Sequence, residues 1–466
     1  MTEALLLAQL LLAEAALLTA LLFLLSGLDD LFIDGVYFAR SLWRRLTVYR
    51  RHPRADVQSL IGRTPAAPIA IFVPAWDESA VIGDMLRHLT ATLDYPDYRV
   101  FIGLYPNDPK GQAIVTALAA HDSRLQAVRC ARPGPTSKAD CLNHIWAAAT
   151  RHEARTGRRF KAIVLHDAED VVHPHELHIH NALIPGLSLV QLPVRPLADP
   201  ASPWIAGHYL DEFAEAHAKD LVVREALGAA VPSAGVASGL CRETLGRIAA
   251  QRRGGPFDAT SLTEDYEIGH RVHGLGRRSA MVRLKSRGEA VSVATAEHFP
   301  ATLSAAVAQK SRWLTGIALA GWDRLGWPPG LATRYMLYRD RKAILTALLA
   351  LLGYALALGF VALALIRRLV PGAEALPPPV APGSPLAWLL AANLAIFGWR
   401  LAMRALFTAR AHGLAQGLMA IPRSLTSNLV NALAALAAIR RYRQLRASST
   451  PPVWGKTLHR FPANPA

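Results

Sequence analysis

The chain has 466 residues, 52% of them hydrophobic and only 18% charged, with 51 Lys and Arg against 35 Asp and Glu for a formal net charge of +16. This composition excludes global disorder, and three cysteines without paired spacing exclude a disulfide framework or a Cys-rich zinc site and suit a reducing compartment. Leu and Ala runs crowd both ends while the middle is patterned like an enzyme, so a wholly soluble chain is excluded as well.

The first element runs from Leu5 to Leu28, nearly all Leu and Ala and interrupted by Gln9 and Glu14. At ~1.5 Å per residue it is long enough to cross a ~30 Å hydrocarbon core. A cleaved signal peptide is the alternative, but the basic residues follow the apolar run and no small-x-small site closes it. Arg40, Arg44, Arg45, Arg50, Arg51 and Arg54 mark a cytoplasmic flank. Residues 1–30 are therefore predicted to span the membrane with the amino terminus outside, and 31–67 to form a basic cytoplasmic linker.

Residues 68–340 are predicted to form a cytoplasmic α/β domain. Apolar runs at Ile69 to Val73, Val100 to Leu104, Leu125 to Cys130, Ala162 to Leu165 and Leu187 to Val194 read as buried strands. Between the first two, Ser79 to Leu93 fits a helix with Ser79 as its cap. This alternation predicts parallel strands and a ligand site beyond their carboxyl ends. Those ends are acidic: Asp77 and Glu78 follow the first strand, Asn107 and Asp108 the second, Asp167, Glu169 and Asp170 the fourth. One such carboxylate is commonplace, but three strand ends carrying them suit Mg²⁺ or Mn²⁺ bridging protein oxygens to a nucleotide diphosphate. Lys138 opens a helix and adds positive charge at that helix's positive end.

In the same stretch, His166, His173, His175, His178 and His180 form a histidine-rich run. No pair there comes with a third ligand at helical spacing, so a partly exposed helix is expected in preference to zinc. Thr263-Glu264-Asp265 precedes another helix and offers a general base. Gln309, Arg312 and Trp313 share a helical turn. An Arg fork fits phosphate and an indole face fits a sugar ring, although Arg312 and Trp313 would also serve as anchors beside a membrane.

Ala343 to Ile366 is uncharged and apolar, preceded by Arg339, Arg341 and Lys342, and predicts a span at 341–368. A Pro-rich connection leads to a returning span at 385–407, where Arg400 and Arg404 are expected to snorkel to the inner interface. Leu414 to Ile439 is interrupted by Pro422, Arg423, Asn428 and Asn431 and closed by Arg440, Arg441, Arg443 and Arg446. A fourth span would place that basic cluster outside. Residues 412–446 are therefore expected to lie as an amphipathic helix on the cytoplasmic face, followed by a cytoplasmic tail at 447–466. The basic flanks account for much of the surplus charge, and without a basic face carrying interleaved aromatics nucleic acid is not expected as a partner.

In order, Pro74-Ala75-Trp76-Asp77-Glu78, Lys138-Ala139-Asp140-Cys141-Leu142-Asn143, Asp167-Ala168-Glu169-Asp170, Thr263-Glu264-Asp265 and Gln309-x-x-Arg312-Trp313 resemble the processive family 2 glycosyltransferases of GT-A fold, such as cellulose and hyaluronan synthases. A narrower resemblance, to an adsorption-protein branch tied to an exopolysaccharide system of the bacterial inner membrane, rests on Asp30-Leu31-Phe32-Ile33-Asp34, His166 to Asp170, and Trp454 to Pro462. Some members of that branch carry a further carboxyl-terminal cyclic-dinucleotide domain, and regulation through one is not expected for a sequence ending at Ala466.

The resemblance implies a metal-dependent, inverting transfer from a nucleotide sugar, UDP-linked, to a polysaccharide or lipid-linked sugar acceptor at the bilayer. Asp77 and Glu78 would contact uracil and ribose, and Asp108 the nucleoside. Asp167 would lie at the ribose and diphosphate beside the metal, which Glu169 would ligate in place of the family's commoner Asp. Asp265, with Glu264 beside it, would take the acceptor proton. Lys138, Gln309 and Arg312 would hold the leaving diphosphate, and Trp313 would stack on the acceptor. Trp454 to Pro462 resembles a gating loop acting through Lys456, Thr457 and His459, with a merely ordered tail as the alternative. Three spans are few for a polymer channel, so self-association or an outer-membrane export partner is expected. The competing readings are a single-transfer enzyme acting on a lipid carrier and a noncatalytic scaffold of a secretion system; Lys138, Glu169 and Asp265 speak against the scaffold.

Overall fold

Strands and helices alternate through the middle of the chain in the computed structural model, which describes residues 2–370, 377–448, 453–455 and 459–462. The strands are β1 (Ile69–Pro74), β2 (Tyr98–Leu104), β3 (Leu125–Arg129), β4 (Ala162–Leu165), β5 (Leu189–Gln191), β6 (Val194–Pro196), β7 (Ser238–Cys241), β8 (Ser279–Met281) and β9 (Thr295–Glu297). Seven form one sheet in the order β3-β2-β1-β4-β7-β5-β8, and β6 pairs with β9 separately. All six residues of β1 are buried, because helices cover both faces of the sheet. Ile71 and Val73 pack with Met85, Leu86 and Leu89 on one side, while Phe72 meets Phe101, Leu142 and Ile145 on the other.

Three local expectations are corrected. The sheet is mixed, since β7 runs antiparallel between β4 and β5. This short Ser-Gly-Leu-Cys strand carries little periodicity, and a Cβ on Gly239 would fall 2.1 Å from His180 Nδ1, so the strand passes directly beneath that ring. The run Leu187 to Val194 divides, β5 joining the main sheet and Val194 opening β6. Ser79 is not a cap: the helix begins at Ile82, and the amides of Val81 and Ile82 donate to the Glu78 carbonyl.

Among the described residues, three helices are long and apolar enough to cross a membrane, within 3–51, 331–369 and 385–412. The first continues unbroken from Thr2 to Leu46 and then a single turn, Val48–Arg51, so much of the segment expected as a linker is helical. Its second half packs on the α/β domain, with Ile33 against Val223, Ala229 and Met336. The Gln9 amide donates to the Pro377 carbonyl (2.8 Å), which puts the start of the first helix beside the connection between the other two.

At the opposite end, charges tie the spans to the domain. Lys219 meets Asp34 (2.5 Å) and Glu215 (2.6 Å), Arg339 meets Asp29 and Asp30, and Lys342 meets Asp29. Arg400, expected to snorkel to the inner interface, pairs with Glu215 (3.0 Å) and Asp30 (3.6 Å).

Leu414–Ala447 is one helix despite Pro422. Leu414, Leu418, Ile421, Leu425 and Leu429 are exposed along one face, whereas Ala420, Arg423, Ser427, Val430, Ala434 and Ala438 are buried on the other. Two of the polar residues that interrupt its apolar pattern face the domain, Arg423 pairing with Asp211 (2.7 Å) and Asn431 meeting Lys310 Nζ (2.8 Å), whereas Asn428 donates to the Tyr354 hydroxyl (2.9 Å) on one of the apolar helices.

Candidate active site

The carboxyl ends of β1 and β4, the starts of two helices and the carboxyl-terminal segment enclose a cavity of about 350 Å³. Glu78, Lys138, Asp167, Glu169, Glu264, Asp265, Gln309, Arg312, Trp313 and His459 all line it. Sequence positions as distant as 78 and 459 are thus brought to one place by the sheet.

Two predicted residues, Asp77 and Asp108, are not among those that line this cavity, Asp77 being exposed. Asp108 is buried and caps the helix Pro109–His121, accepting from the Gly111 amide (3.0 Å). Its other oxygen accepts from the Asp77 amide at 3.2 Å, holding Asp77 at φ 53°, a left-handed conformation costly for a non-glycine residue. Asp108 therefore shapes the turn after β1.

Lys138 opens the helix Lys138–Thr156, whose cap Ser137 accepts from the Asp140 amide (3.2 Å). Burial alone would lower the Lys138 pKa, but the carboxylates of Asp167, Glu264 and Asp265 outweigh it and raise it. Asp167, expected beside the metal, is ion-paired with Lys138. Behind it, the fully buried His166 bridges Asp170 (2.7 Å) and Glu176 (2.7 Å), and Asp170 accepts from the Asp167 amide (3.1 Å). Burial opposes charge on His166, yet those two carboxylates raise it to about 10; this cation braces the turn that presents Asp167 and Glu169.

Glu264 and Asp265 occupy the first turn of the helix Glu264–Gly274. Burial and the neighbouring Asp265 push Glu264 up to about 7, and burial raises Asp265 as well. Asp265 Oδ1 accepts from the Tyr266 amide (2.7 Å), while its Oδ2 lies where a Cβ on Gly235 (φ +82°) would approach to 2.6 Å. Gln309, Arg312 and Trp313 project from the helix Leu303–Leu314, which continues as a π-helical segment, Thr315–Ala320. Gln309 Oε1 is buried with no hydrogen-bond partner among the described residues, and Arg312 donates to the Gly455 carbonyl (2.6 Å). Trp313 completes an aromatic wall with Tyr209, Phe213 and Phe299.

Sequence reasoning missed Glu297 and that wall. Glu297 ends β9 inside the cavity, and burial together with Asp170, Glu169 and Asp167 raises its pKa well above normal. No acidic motif marks it; only the β6–β9 pairing and the bridge between Val171 and Ala296 bring it there. The carboxyl-terminal segment lies across the site: the Trp454 amide donates to Thr136 O (2.8 Å) and His459 Nδ1 meets Glu169 Oε1 (2.5 Å). Lys456 and Thr457 lie outside the described residues.

The donor set fits a divalent ion. Glu169 and His459 offer one oxygen and one nitrogen, and the remaining positions suit donor phosphates and water. A second cluster lies apart. His173, His175 and Glu289 place ligand atoms within 4.8 Å of one another, with Glu289 supplying the third group that helical spacing did not reveal. As they stand, His173 Nε2 lies 3.0 Å from a Glu289 carboxylate oxygen.

A larger cavity of about 1070 Å³ lies between the domain and the apolar helices, lined by Asp30, Asn393, Arg400, Arg404 and Asn428 among others. Trp313, Tyr266 and Ile317 line both cavities, so Trp313 stands at their junction.

Residues 65–316 match the family described as Glycosyltransferase like family 2. The chain belongs to this family. Its mixed sheet and acidic strand-end site are accordingly a GT-A glycosyltransferase domain, carried by membrane-spanning candidates. The chain is 38% identical over 463 residues to bacteriophage adsorption protein B of Escherichia coli K12, a match covering 96% of this chain and 62% of that protein. The same figures hold for bacteriophage N4 adsorption protein B of Escherichia coli O157:H7, so the chain spans 62% of the length of each relative. Among solved structures, a mannosyltransferase from Pyrobaculum calidifontis in complex with GDP-Man and Mn²⁺ is 16% identical with a TM-score of 0.46, covering 86% of this chain and 99% of that one. So low a TM-score adds nothing to the family assignment.

Proposed function

We propose that the protein is an inverting, metal-dependent glycosyltransferase of the bacterial inner membrane. It transfers sugar from a UDP-sugar to a growing exopolysaccharide, with the catalytic domain cytoplasmic and the amino terminus periplasmic. The observation that carries this reading is Trp313, which lines both the acidic cavity and the chamber beside the apolar helices. An acceptor presented from the membrane side would reach Asp265 past that indole.

Lys138 and Arg312 line the same cavity and would offset the negative charge gathered by a leaving diphosphate. Mg²⁺ or Mn²⁺ held by Glu169 would supply Lewis-acid neutralisation of the same charge. Asp265 takes the acceptor's hydroxyl proton as its oxygen attacks the anomeric carbon and the bond to the diphosphate breaks. Direct attack with one base inverts that carbon. The ion pair of Asp167 with Lys138 holds the lysine ready for the diphosphate. An export partner or a second copy would complete a path for the polymer, since three spans enclose little by themselves.

A panel of nucleotide sugars offered with Mn²⁺ or Mg²⁺ to detergent-purified protein tests the proposal through nucleotide release and product length. Asp265→Asn is expected to lower release by about 10²–10⁴-fold, the usual contribution of a general base. Unchanged release in that variant overturns the catalytic assignment, and products one sugar long identify single transfer to a lipid-linked acceptor instead. Release by the unaltered protein rejects the scaffold reading.

A further inference from the structure

A tight turn at 286–289 closes a short hairpin: the Glu289 amide donates to the Ser286 carbonyl (3.1 Å), and Gly288 at φ 88° supplies the left-handed position. Lys285 and Ser292 pair across that hairpin in an antiparallel bridge. Both ends of the turn meet the segment that leads into the helix Glu176–Leu183. At one end the buried Ser286 hydroxyl lies 2.7 Å from His175 Nδ1. At the other, the two Glu289 carboxylate oxygens lie 3.0 and 3.2 Å from His173 Nε2. The outcome is two imidazoles and one carboxylate whose ligand atoms all lie within 4.8 Å of one another. His173 and Glu289 are 116 positions apart, so the fold and not a local motif assembles the group.

We propose that His173, His175 and Glu289 form a Zn²⁺ site that clasps this hairpin to the chain entering the helix Glu176–Leu183. None of the three lines the donor cavity, and the inference stands independently of the glycosyltransferase reading. Two imidazoles and a carboxylate, with a fourth position open to water, suit zinc; Mg²⁺ and Ca²⁺ prefer oxygen throughout. Tetrahedral bonds of ~2.1 Å put ligand atoms ~3.4 Å apart, so the widest separation here closes by at most about 1.4 Å. Ser286 is the outer partner: with His175 Nδ1–H donating to its hydroxyl, Nε2 keeps the lone pair an ion needs. Burial holds the His175 pKa below the ordinary imidazole value, which keeps the ring in its ligating, neutral form. On His173 the proton now shared with Glu289 gives way to the ion and moves to Nδ1, releasing the His175 amide that Nδ1 accepts at 3.1 Å. The clasp also reaches further than its ligands. Glu176, the next residue after His175, holds His166, the cation that braces the turn presenting Asp167 and Glu169. The hairpin is tied in turn to the segment after the first helix, where the Val57 amide donates to Lys285 O (3.0 Å) and Gln58 Oε1 accepts from the Arg287 amide (2.7 Å).

The test is Zn²⁺ titration of metal-stripped, full-length protein in detergent, read by calorimetry, by thermal unfolding and by X-ray absorption at the zinc edge. It is run in a Glu169→Gln background, which silences the donor-site ion. One Zn²⁺ per chain is expected, with two imidazoles in its shell and a thermal midpoint above that of the stripped protein. Adding His173→Ala, His175→Ala or Glu289→Ala is expected to weaken Zn²⁺ binding by more than about tenfold and to erase the rise in midpoint, and Ser286→Ala to weaken binding about tenfold with the shell unchanged. Stripped variants that melt where the stripped parent melts separate loss of a ligand from loss of the fold. No Zn²⁺ uptake, a shell without imidazole, or equal affinity in His175→Ala and Glu289→Ala overturns the site. Tight binding that leaves the midpoint where it was overturns the clasp.

Discussion

Glu264 and Asp265 are two carboxyls in one buried turn, and their ionisation sets when the site can accept a proton. Burial raises both, Glu264 to about 7, and Lys138 pulls both back down. A base must be ionised to work, so activity is expected to fall as pH drops through the neutral range. Lys138→Met removes the cation that favours the ionised forms; the acidic limb of kcat/KM against pH then moves to higher pH, and a limb that moves down or stays contradicts the assignment. Gly235 is the other decisive residue. Its positive φ and the 2.6 Å that would separate a Cβ from Asp265 Oδ2 leave no room for a side chain. Gly235→Ala is expected to cut turnover about tenfold or more while UDP affinity, read by calorimetry, changes little. The carboxylates at 77–78, 167–170 and 264–265 were legible because acidic residues at strand and helix ends are local signals. Glu297 was not, since its place depends on a strand pairing formed across 100 residues.

The helix Leu414–Ala447 shows the same contrast at the scale of an element. Its exposed leucines repeat at helical spacing, which the sequence displays, but its buried face is defined by partners from elsewhere in the chain. Arg423 and Asp211 are both almost fully enclosed at 2.7 Å, so removing one leaves the other charge buried and unanswered. Arg423→Met is expected to destabilise the protein by about 3–5 kcal/mol, while Arg423→Met combined with Asp211→Leu recovers part of that loss in thermal unfolding of the detergent-solubilised protein. The first helix was mistaken in extent because basic side chains were read as the end of a helix. Arg and Lys are good helix formers, and no proline interrupts the stretch from Leu28 to Leu46. The charge change does not mark an end of helical structure.

At the scale of the whole molecule, the contact between Gln9 and Pro377 groups the amino terminus with the connection after the second apolar helix, and the ion pairs of Asp29, Asp30 and Asp34 group the opposite ends with the domain. Alkaline phosphatase fused within the connection near residue 380 is expected to be active, and the same enzyme fused after residue 447 inactive; activity at both would make Leu414–Ala447 a fourth span. The sequence by itself determined the apolar helices, the orienting arginines, most of the buried strands and the order of the family's motifs. Each of these is encoded within a few residues, by periodicity, composition or local charge. Only the tertiary structure decided that β7 runs antiparallel, that Asp108 serves a turn, that Arg400 is ion-paired, that Glu297 enters the acidic site, that His459 meets Glu169 there, and that Trp313 lines both cavities. These depend on which distant segments meet, and a pattern read along one segment holds no record of the partner that will bury it.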